Sequence, residues 1–280
     1  MIPAKMTHEE YHLFNELLSD SYGITFPESK KGILESRLKP RLEALQLSQY
    51  MDYYYLLQFN SNGANEIENL ANLVTNNETY FFREIHQFES LFYHAIHDIK
   101  KSCTSTNTIR ILVAGCSSGE EAYTINIYAK ENQYRFWGYS LEIDAFDIDT
   151  DALQCANKAE YTERSLRFMD EEKIKQYFKK NNQQCYILKD MYRHGISFDR
   201  GNILKLETYH RSFLYDVVFC RNVMIYFSEH AMHKAIENFA QCLRPGGLLF
   251  LGHSESIIGV TKSFEAIRLG NSILYERVVQ

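Results

Sequence analysis

The residues with the clearest chemical potential form a short turn with acids beside it. Gly115-Cys116-Ser117-Ser118-Gly119 follows an apolar run and precedes Glu120 and Glu121. A turn of this kind between a strand and a helix directs backbone N–H groups and a helix N-terminus towards a polar ligand. The dinucleotide pattern G-x-G-x-x-G is absent, which disfavours a nicotinamide or flavin site. Alone, the turn is a weak signal, because ordinary strand-to-helix connections more often account for such a sequence.

The acids near the turn favour a cationic, nucleotide-like cofactor. Glu120 and Glu121 would repel pyrophosphate but suit the ammonium and sulfonium groups of S-adenosylmethionine. Asp147-Ile148-Asp149 ends a second apolar run, a position where a carboxylate commonly binds a ribose diol. Asp147 is the candidate for that role, because Asp149 is better placed to cap the following helix.

The elements around these residues predict a parallel sheet covered on both faces. From residue 109, short apolar runs alternate with amphipathic helices. The predicted strands are Ile109–Ala114, Ile143–Asp147, Asp216–Cys220 and Leu248–Gly252. The tail, Phe264–Leu269 and Ser272–Val278, predicts an antiparallel hairpin. Between Asp149 and Asp216 the alternation lapses, and we predict a small insertion near residues 183–201.

The first seventy or so residues predict only helices. Thr7-x-x-Glu10 is a capping box, and Gly23 supplies a stop for the first helix. The second helix has an apolar stripe that Pro40 interrupts, so a kink is expected there. Basic residues cluster around that stripe: Lys30, Lys31, Arg37, Lys39 and Arg41. We therefore expect a helical domain over residues 1–74, a linker over 75–90 and an α/β domain over 91–280.

Composition excludes several classes of protein. The 280 residues are 45% hydrophobic and 24% charged, as in soluble globular proteins of one or two domains. A net charge of −6 argues against nucleic acid, and Tyr53-Tyr54-Tyr55 suggests core packing rather than base stacking. Six cysteines without a C-x-x-C pair predict neither a disulfide framework nor a metal site. Without a signal core or membrane-length apolar run, the expected location is cytoplasmic.

Two further segments combine polar residues with aromatic ones. They are Thr75–Glu84 in the linker and Phe219–Phe227, which begins at the end of the third predicted strand. Together with Gly119–Thr124, Asp147-Ile148-Asp149 and Gly252–Ser256, they resemble the chemotaxis receptor methyltransferases, the CheR family, across nearly the whole chain. The resemblance implies a small all-helical N-terminal domain, a linker, and a Rossmann-like S-adenosylmethionine-dependent methyltransferase domain with an inserted β-subdomain. It also implies methyl esterification of glutamate side chains on chemoreceptors, with S-adenosylhomocysteine as the product.

Roles for individual residues follow from the same resemblance. Asn77, Thr79 and Arg83 would line the cofactor from the linker. Arg83 and Glu121 would hold the methionine carboxylate and ammonium groups of the cofactor, and Asp147 would hold its ribose.

At the other end of the cofactor, Asn202 would reach the adenine, with Ile203 beside it. Arg221, Asn222 and Tyr226 would stand near the sulfonium and the incoming glutamate. The catalytic candidates are therefore Arg83, Arg221 and Tyr226. His253, beside a strand end, is interpreted as a structural hydrogen-bonding residue rather than a base.

The basic helix from Lys30 to Arg41 matches the receptor-facing element of the family, so we expect it to contact chemoreceptor helices, with the chain acting as a monomer.

The sequence departs from the family pattern at two places. Ala122 replaces a proline that many members carry, which should alter the helix start without removing a ligand. No glycine-rich loop is apparent near Cys185–Arg200, which argues against docking of a receptor's C-terminal pentapeptide. Two alternatives remain: a methyltransferase for a small molecule or RNA, and a non-catalytic adaptor that senses the cofactor.

Overall fold

A computed structural model describes residues 5–60, 63–102, 107–181, 185–208 and 213–278. Its contacts divide the chain into two compact units. The helical unit comprises Met1–Asn76 with Met224–Lys234, and the sheet unit comprises Asn77–Val223 with Ala235–Gln280. Within the described residues, no helix is long and apolar enough to cross a membrane.

Four helices form most of the helical unit. They are α1 (His8–Tyr22), α2 (Lys31–Ala44), α3 (Tyr50–Phe59) and α4 (Gly63–Val74). The predicted capping box is present: the Glu10 amide donates to Thr7 Oγ1 over 3.2 Å, and the Thr7 amide donates to Glu10 Oε2 over 2.7 Å. Gly23 ends α1 at φ 76°, as predicted. Ser61 and Asn62, part of the predicted turn before α4, lie outside the described residues.

Helix α2 continues through Pro40 rather than ending there. Leu38 and Leu42, on either side of the proline, are fully buried together with Leu34. These leucines hold the turns before and after Pro40 in one core. Packing therefore offsets the backbone hydrogen bond that proline cannot donate.

Two arginines of the basic cluster are bound within the helical unit. Arg41 donates from Nε and Nη2 to the two carboxylate oxygens of Glu66, each over 2.6 Å. Arg37 donates to the carbonyls of Val74 and Thr75. Both guanidinium groups therefore stabilise the packing of α2 against α4 and the residue that follows it.

The run of three tyrosines in α3 divides between core and surface. Tyr53 is fully buried, and its hydroxyl donates to Glu66 over 2.9 Å. The predicted core packing is thus confirmed for this residue. Tyr55 is 54% exposed, and its ring contacts Tyr54 and Phe59 on the same helix, so the same prediction is wrong there.

The segment after residue 223 returns to the helical unit. Ile24 and Phe227 form an isolated antiparallel bridge, and the Thr25 amide donates to the Tyr226 carbonyl over 2.8 Å. The sequence pattern did not predict this return, because it depends on pairing between segments about 200 residues apart.

A seven-stranded sheet forms the centre of the sheet unit. Its strands are β1 (Thr108–Ala114), β2 (Ser140–Asp147), β6 (Ile196–Arg200), β7 (Tyr215–Cys220), β8 (Leu243–Leu251), β9 (Phe264–Leu269) and β10 (Ser272–Arg277). They are ordered β6-β2-β1-β7-β8-β10-β9. The first five are parallel, and β10 pairs antiparallel with both β8 and β9. The four predicted strands and the hairpin are thus confirmed, although β8 begins at Leu243, ahead of the predicted Leu248.

Seven α-helices accompany the strands in the described part of the chain. They are α5 (Ile85–Glu89), α6 (Ile96–Ser102), α7 (Glu120–Glu131), α8 (Thr150–Lys158), α9 (Glu163–Leu166), α10 (Glu171–Tyr177) and α11 (Glu229–Cys242), which begins in the helical unit. Stacked aromatic rings fill the core beneath α7. Phe88 stacks on Tyr128 and on Phe219, and Phe219 stacks on Phe250 at 4.5 Å between centroids.

A second, three-stranded antiparallel sheet lies within the sheet unit. It comprises β3 (Glu160–Tyr161), β4 (Phe178–Lys180) and β5 (Tyr186–Leu188), with β5 in the middle. The range 160–188 differs from the expected 183–201, of which residues 183 and 184 lie outside the described residues. Part of the expected range, Ile196–Arg200, instead joins the main sheet as β6 beside β2.

The linker packs against this small sheet through Phe81. Its ring contacts Tyr161 and Phe178 edge-on, with centroids 4.8 and 5.0 Å away. The Phe81 amide also donates to the Ser165 carbonyl over 3.0 Å. The motif that follows Asn77 is therefore fixed to the sheet unit by a fully buried side chain.

Candidate cofactor site

Three neighbouring strands bring the candidate residues to one edge of the main sheet. Gly115, Asp147 and Arg221 lie at the carboxyl ends of β1, β2 and β7. From β1, the chain continues to β2 on one side, while β7 pairs on the other. Open parallel sheets bind ligands at such a switch point, just beyond the carboxyl ends of the strands.

The turn after β1 is held from two sides. The amides of Gly115 and Cys116 both donate to the Phe146 carbonyl at the end of β2, over 2.9 and 3.0 Å. Gly115 has φ 79°, and a Cβ atom there would lie 2.6 Å from Cγ2 of Val223. Only glycine fits this combination of backbone angle and close approach. The next residues include Ser117 at φ 49°, so the turn carries strain of the kind found at ligand sites.

Asp147 faces this turn with its carboxylate 2.7 Å from the Ser117 amide, which donates to Oδ2. Its Oδ1 accepts from the Asp149 amide over 2.9 Å. The residue is 7% exposed, and burial raises its pKa to about 6, although these amides act in the opposite direction. An ionised carboxylate has about four lone-pair positions, so acceptor capacity remains for a diol.

Asp149 has the capping role that was expected. Its Oδ1 accepts from the amides of Asp151 and Ala152 at the start of α8, over 2.9 and 3.0 Å. Its Oδ2 accepts from Nδ2 of Asn77 over 2.6 Å. Asn77 Oδ1 in turn accepts from the Ser117 hydroxyl over 3.3 Å. Asn77 of the linker therefore lies at the turn, and Thr79 follows two residues later, half-buried.

Arg221 lies between two carboxylates. Its Nη1 is 2.7 Å from Oε2 of Glu121, and its Nη2 is 3.3 Å from Oε2 of Glu84. The guanidinium also donates to the Arg83 carbonyl over 2.6 Å, and the side chain is only 1% exposed. Burial raises the pKa of Glu121, against the lowering effect of the Arg221 charge. The structure thus brings the predicted Glu121, Arg83 and Arg221 together.

The Arg83 side chain turns towards the linker itself. Its Nη1 donates to the Glu78 carbonyl over 2.7 Å, and its guanidinium carbon lies 5.5 Å from the centroid of the Tyr80 ring. The positive charge opposes the rise that burial causes in the pKa of Glu121. Arg83 therefore lies within the electrostatic field of that carboxylate while remaining half-buried.

Asn222 is positioned by an acid that the sequence reasoning missed. It adopts φ 60°, and its amide donates to Oε2 of Glu255 over 2.8 Å. The amides of Gly252 and Val223 donate to the same carboxylate over 2.7 and 3.0 Å. Glu255 thereby joins the loops after β7 and β8. The sequence offered one signal for Glu255, which is that it lies within Gly252–Ser256, a segment that resembles the CheR family.

Asn202 and Ile203 follow β6 at the same edge. The Gly201 amide donates to the Asp147 carbonyl over 2.9 Å, and a Cβ on Gly201 would come within 2.1 Å of Cγ2 of Thr208. This glycine therefore lets the chain pass close to β2. Asn202 Oδ1 accepts from the Leu204 amide over 2.9 Å, and Ile203 is 5% exposed.

Tyr226 belongs to the helical unit, where Nδ2 of Asn76 donates to its hydroxyl over 2.6 Å. His253 belongs to the sheet unit, with its side chain 71% exposed. Its Nδ1 lies 3.0 Å from Oε1 of Glu84, and its Nε2 lies 3.1 Å from Oγ of Ser254. These contacts fit the predicted hydrogen-bonding role of His253. Glu84 was not among the predicted site residues.

The groups at this edge fit the chemistry of S-adenosylmethionine. Carboxylates that suit cationic groups lie beside arginines that suit a carboxylate, and Asp147 keeps acceptor capacity for a diol. Glu120, the other acid after the turn, is 1% exposed and accepts from the hydroxyls of Ser118 and Ser165 over 2.7 and 2.9 Å. It therefore links the turn to the segment after β3, and Glu121 carries the charge facing Arg221.

Comparisons with known proteins agree with this chemistry. The family described as "CheR methyltransferase, SAM binding domain" matches residues 77–273, and "CheR methyltransferase, all-alpha domain" matches residues 9–75. Chemotaxis protein methyltransferase 2 of Vibrio cholerae is 34% identical over 96% of this chain and 93% of its own length. The chemotaxis protein methyltransferase of Borreliella burgdorferi is 32% identical over 94% of this chain and 93% of its own length.

Fold and site thus define an S-adenosylmethionine-dependent methyltransferase of the Rossmann-like class. The chain belongs to the CheR family of chemotaxis methyltransferases. Neither an RNA or metabolite methyltransferase nor a non-catalytic adaptor is favoured by these matches.

Proposed function

We propose that this methyltransferase esterifies glutamate side chains of chemoreceptors. The observation that carries the proposal is the buried row Glu84–Arg221–Glu121 beside the glycine turn, in a chain whose relatives are named chemotaxis protein methyltransferases. A carboxylate acceptor requires no histidine or thiol as a general base. A glutamate has a pKa of about 4.3 in solution and is already a nucleophile at neutral pH.

The cofactor's position is proposed from the groups at the sheet edge. Glu121 and Arg83 would hold the ammonium and carboxylate of the methionine part, and Asp147 would accept from the ribose hydroxyls. Asn77 and Thr79 would line the cofactor from the linker. Support for this arrangement comes from the hydrogen bonds that already join Asn77 to Ser117 and to Asp149.

The remaining cofactor contacts are proposed as follows. Asn202 and Ile203 would bind the adenine, since the Gly201 amide ties this segment to the end of β2. Asn222 would lie near the reacting groups, held by Glu255 in its unusual backbone conformation. Arg221 would act on the cofactor mainly through Glu121, because its guanidinium is already shared by two carboxylates and a carbonyl.

The reaction itself requires alignment more than acid–base chemistry. When bound, the cofactor supplies a methyl group activated by a positively charged sulfur. A new O–CH₃ bond forms at the glutamate, the S–CH₃ bond breaks, and its electron pair stays on sulfur. The protein's part is to align oxygen, carbon and sulfur and to exclude water, which can lower a barrier by roughly 7–11 kcal/mol.

The acceptor side is proposed to involve Arg83, Tyr226 and the basic helix. Arg83 and Tyr226 are retained as catalytic candidates on the family motifs. In the basic helix, Arg37 and Arg41 are bound within the helical unit, so Lys30, Lys31 and Lys39 would supply the charge that meets an acidic receptor helix. The enzyme would act as a monomer in the cytoplasm.

A transfer experiment with labelled cofactor tests the proposed acceptor. The protein and S-adenosylmethionine carrying a labelled methyl group are incubated in separate reactions with receptor cytoplasmic fragments, with RNA, or with a small-molecule extract. Asp147→Ala serves as the inactive control. The proposal requires label on receptor glutamates that is released by base. Label found only on RNA or metabolites would refute the acceptor, and tight cofactor binding without any transfer would indicate a sensing adaptor.

A further inference from the structure

Glu84 occupies an unusual position for its residue type. It follows Arg83 and precedes α5 with φ 54° and ψ 53°, the left-handed region that non-glycine residues seldom adopt. Its side chain is only 12% exposed. A strained conformation at a buried acid persists only where several contacts fix it.

Three side chains fix the Glu84 carboxylate. Gln87, itself 3% exposed, donates to Oε2 over 3.0 Å and to the Leu251 carbonyl over 2.8 Å. Arg221 lies 3.3 Å from the same oxygen, and His253 Nδ1 lies 3.0 Å from Oε1. The carboxylate is thus held between the sheet core and the surface and directed at Arg221.

Charge in this row does not balance. Arg221 is one cation between two carboxylates, Glu84 and Glu121. Although burial raises the pKa of Glu84, the charge of Arg221 and the hydrogen bond with His253 bring it below its ordinary value. With both acids ionised, these three side chains carry a net charge of −1 in a poorly hydrated place, where charge interactions are strong. The guanidinium of Arg83 also acts on Glu121, but it donates to the Glu78 carbonyl and stands outside the row.

We propose that Glu84 is a positioning residue that holds Arg221 against Glu121 and supplies the excess negative charge for a cationic cofactor. The inference rests on the proposed cofactor site. S-adenosylmethionine carries a net charge of about +1 from its sulfonium, ammonium and carboxylate groups, and the product has lost the sulfonium charge. Glu84 therefore favours binding of the cofactor more than binding of the product.

Glu84→Gln tests the charge without changing the shape of the side chain. We expect the Kd of S-adenosylmethionine to rise roughly tenfold and the Kd of S-adenosylhomocysteine by less than about threefold, both measured by calorimetry. Glu84→Asp retains the charge and should keep the ratio of the two constants within about threefold of wild type. Glu265→Gln, which removes an exposed charge from β9, is the matched control.

Several results would overturn the inference. One is an equal rise of both constants in Glu84→Gln, as expected for a purely structural role. Another is a change in the ratio of the Kd of S-adenosylmethionine to the Kd of S-adenosylhomocysteine that is as large in Glu84→Asp as in Glu84→Gln. If Glu84→Gln does not fold, as judged by circular dichroism, Glu84→Asp decides alone. A change of more than about threefold in the ratio of its two dissociation constants then overturns the inference. These measurements need no acceptor, so they can fail while glutamate methylation stands, and the reverse also holds.

Discussion

Replacing Asp147 by alanine should separate cofactor binding from folding. The carboxylate accepts two backbone amides and has capacity left for two hydroxyls. Hydrogen bonds to a charged group contribute about 1.5–3 kcal/mol each. Losing two of them is worth about 3 kcal/mol or more, so the Kd of S-adenosylmethionine should rise roughly a hundredfold or further.

The stability of the cofactor-free protein should change far less. Burial raises the pKa of Asp147 from 3.8 to about 6, which means that the ionised side chain costs on the order of 3 kcal/mol at neutral pH. Alanine removes this cost but leaves the amides of Ser117 and Asp149 without their acceptor, a loss of about 1–3 kcal/mol each. The two effects have opposite signs and similar size.

The two properties should also respond to pH in opposite directions. Because the native pKa of Asp147 exceeds the unfolded one, the native state binds the extra proton between about pH 4 and 6. This group's cost to stability is therefore fully present above about pH 6 and disappears as the pH falls to about 4. Cofactor affinity, which needs the ionised form, should decline as the pH falls through about 6.

Calorimetry at about pH 7.5, 6.5 and 5.5 on wild type, Asp147→Ala and Asp151→Ala checks this reasoning, together with thermal unfolding of each. Asp151 is an exposed acid in the first turn of α8, and its replacement serves as the charge-matched control. Unchanged affinity in Asp147→Ala, or equal weakening in Asp151→Ala, would refute the ribose assignment.

Three further predictions concern the acceptor side and the loops. Arg83→Ala should lower kcat/KM for a receptor fragment about a hundredfold, because a charge near the reacting groups is lost. Wild-type turnover of this variant in steady-state kinetics would exclude a catalytic role for Arg83. Reversing Lys30, Lys31 and Lys39 to glutamate should raise the KM for the receptor fragment about tenfold at low salt and leave cofactor affinity unchanged, whereas an unaltered KM would remove the basic helix from the interface. Glu255→Ala should lower the free energy of unfolding by about 3 kcal/mol or more, since three loop amides lose their acceptor at about 1–3 kcal/mol each. Denaturant unfolding measures this loss, and an equally small loss in Glu255→Ala and in the surface control Glu265→Ala would contradict it.

The main sheet was largely predictable because its central strands are buried on both faces. Val217 to Cys220 and Leu249 to Leu251 are nearly inaccessible, so their sequences are continuous apolar runs. Strand β6 was not recognised as part of this sheet. It is an edge strand with one neighbour, and only Ile196 and Phe198 pack against the core, so its sequence is not a continuous apolar run.

Some residues of the candidate site could also be predicted from the sequence, and others could not. Asp147 and Glu121 could be predicted because their positions follow directly from strand ends and a glycine turn. Glu84 and Glu255 could not, since their partners are distant in sequence: Arg221 for the first, and the amides of Asn222 and Val223 for the second. Contacts of this kind become visible only when the loops after β7 and β8 are assembled.

Mass spectrometry of a receptor cytoplasmic fragment, after incubation with this protein and S-adenosylmethionine, tests glutamate methylation most directly. We expect a mass increase of one methyl group on specific glutamate residues, lost on mild alkaline treatment as methanol is released. A fragment that stays unmodified under conditions in which the cofactor is consumed, or methylation at lysine, arginine or cysteine instead, would contradict glutamate esterification.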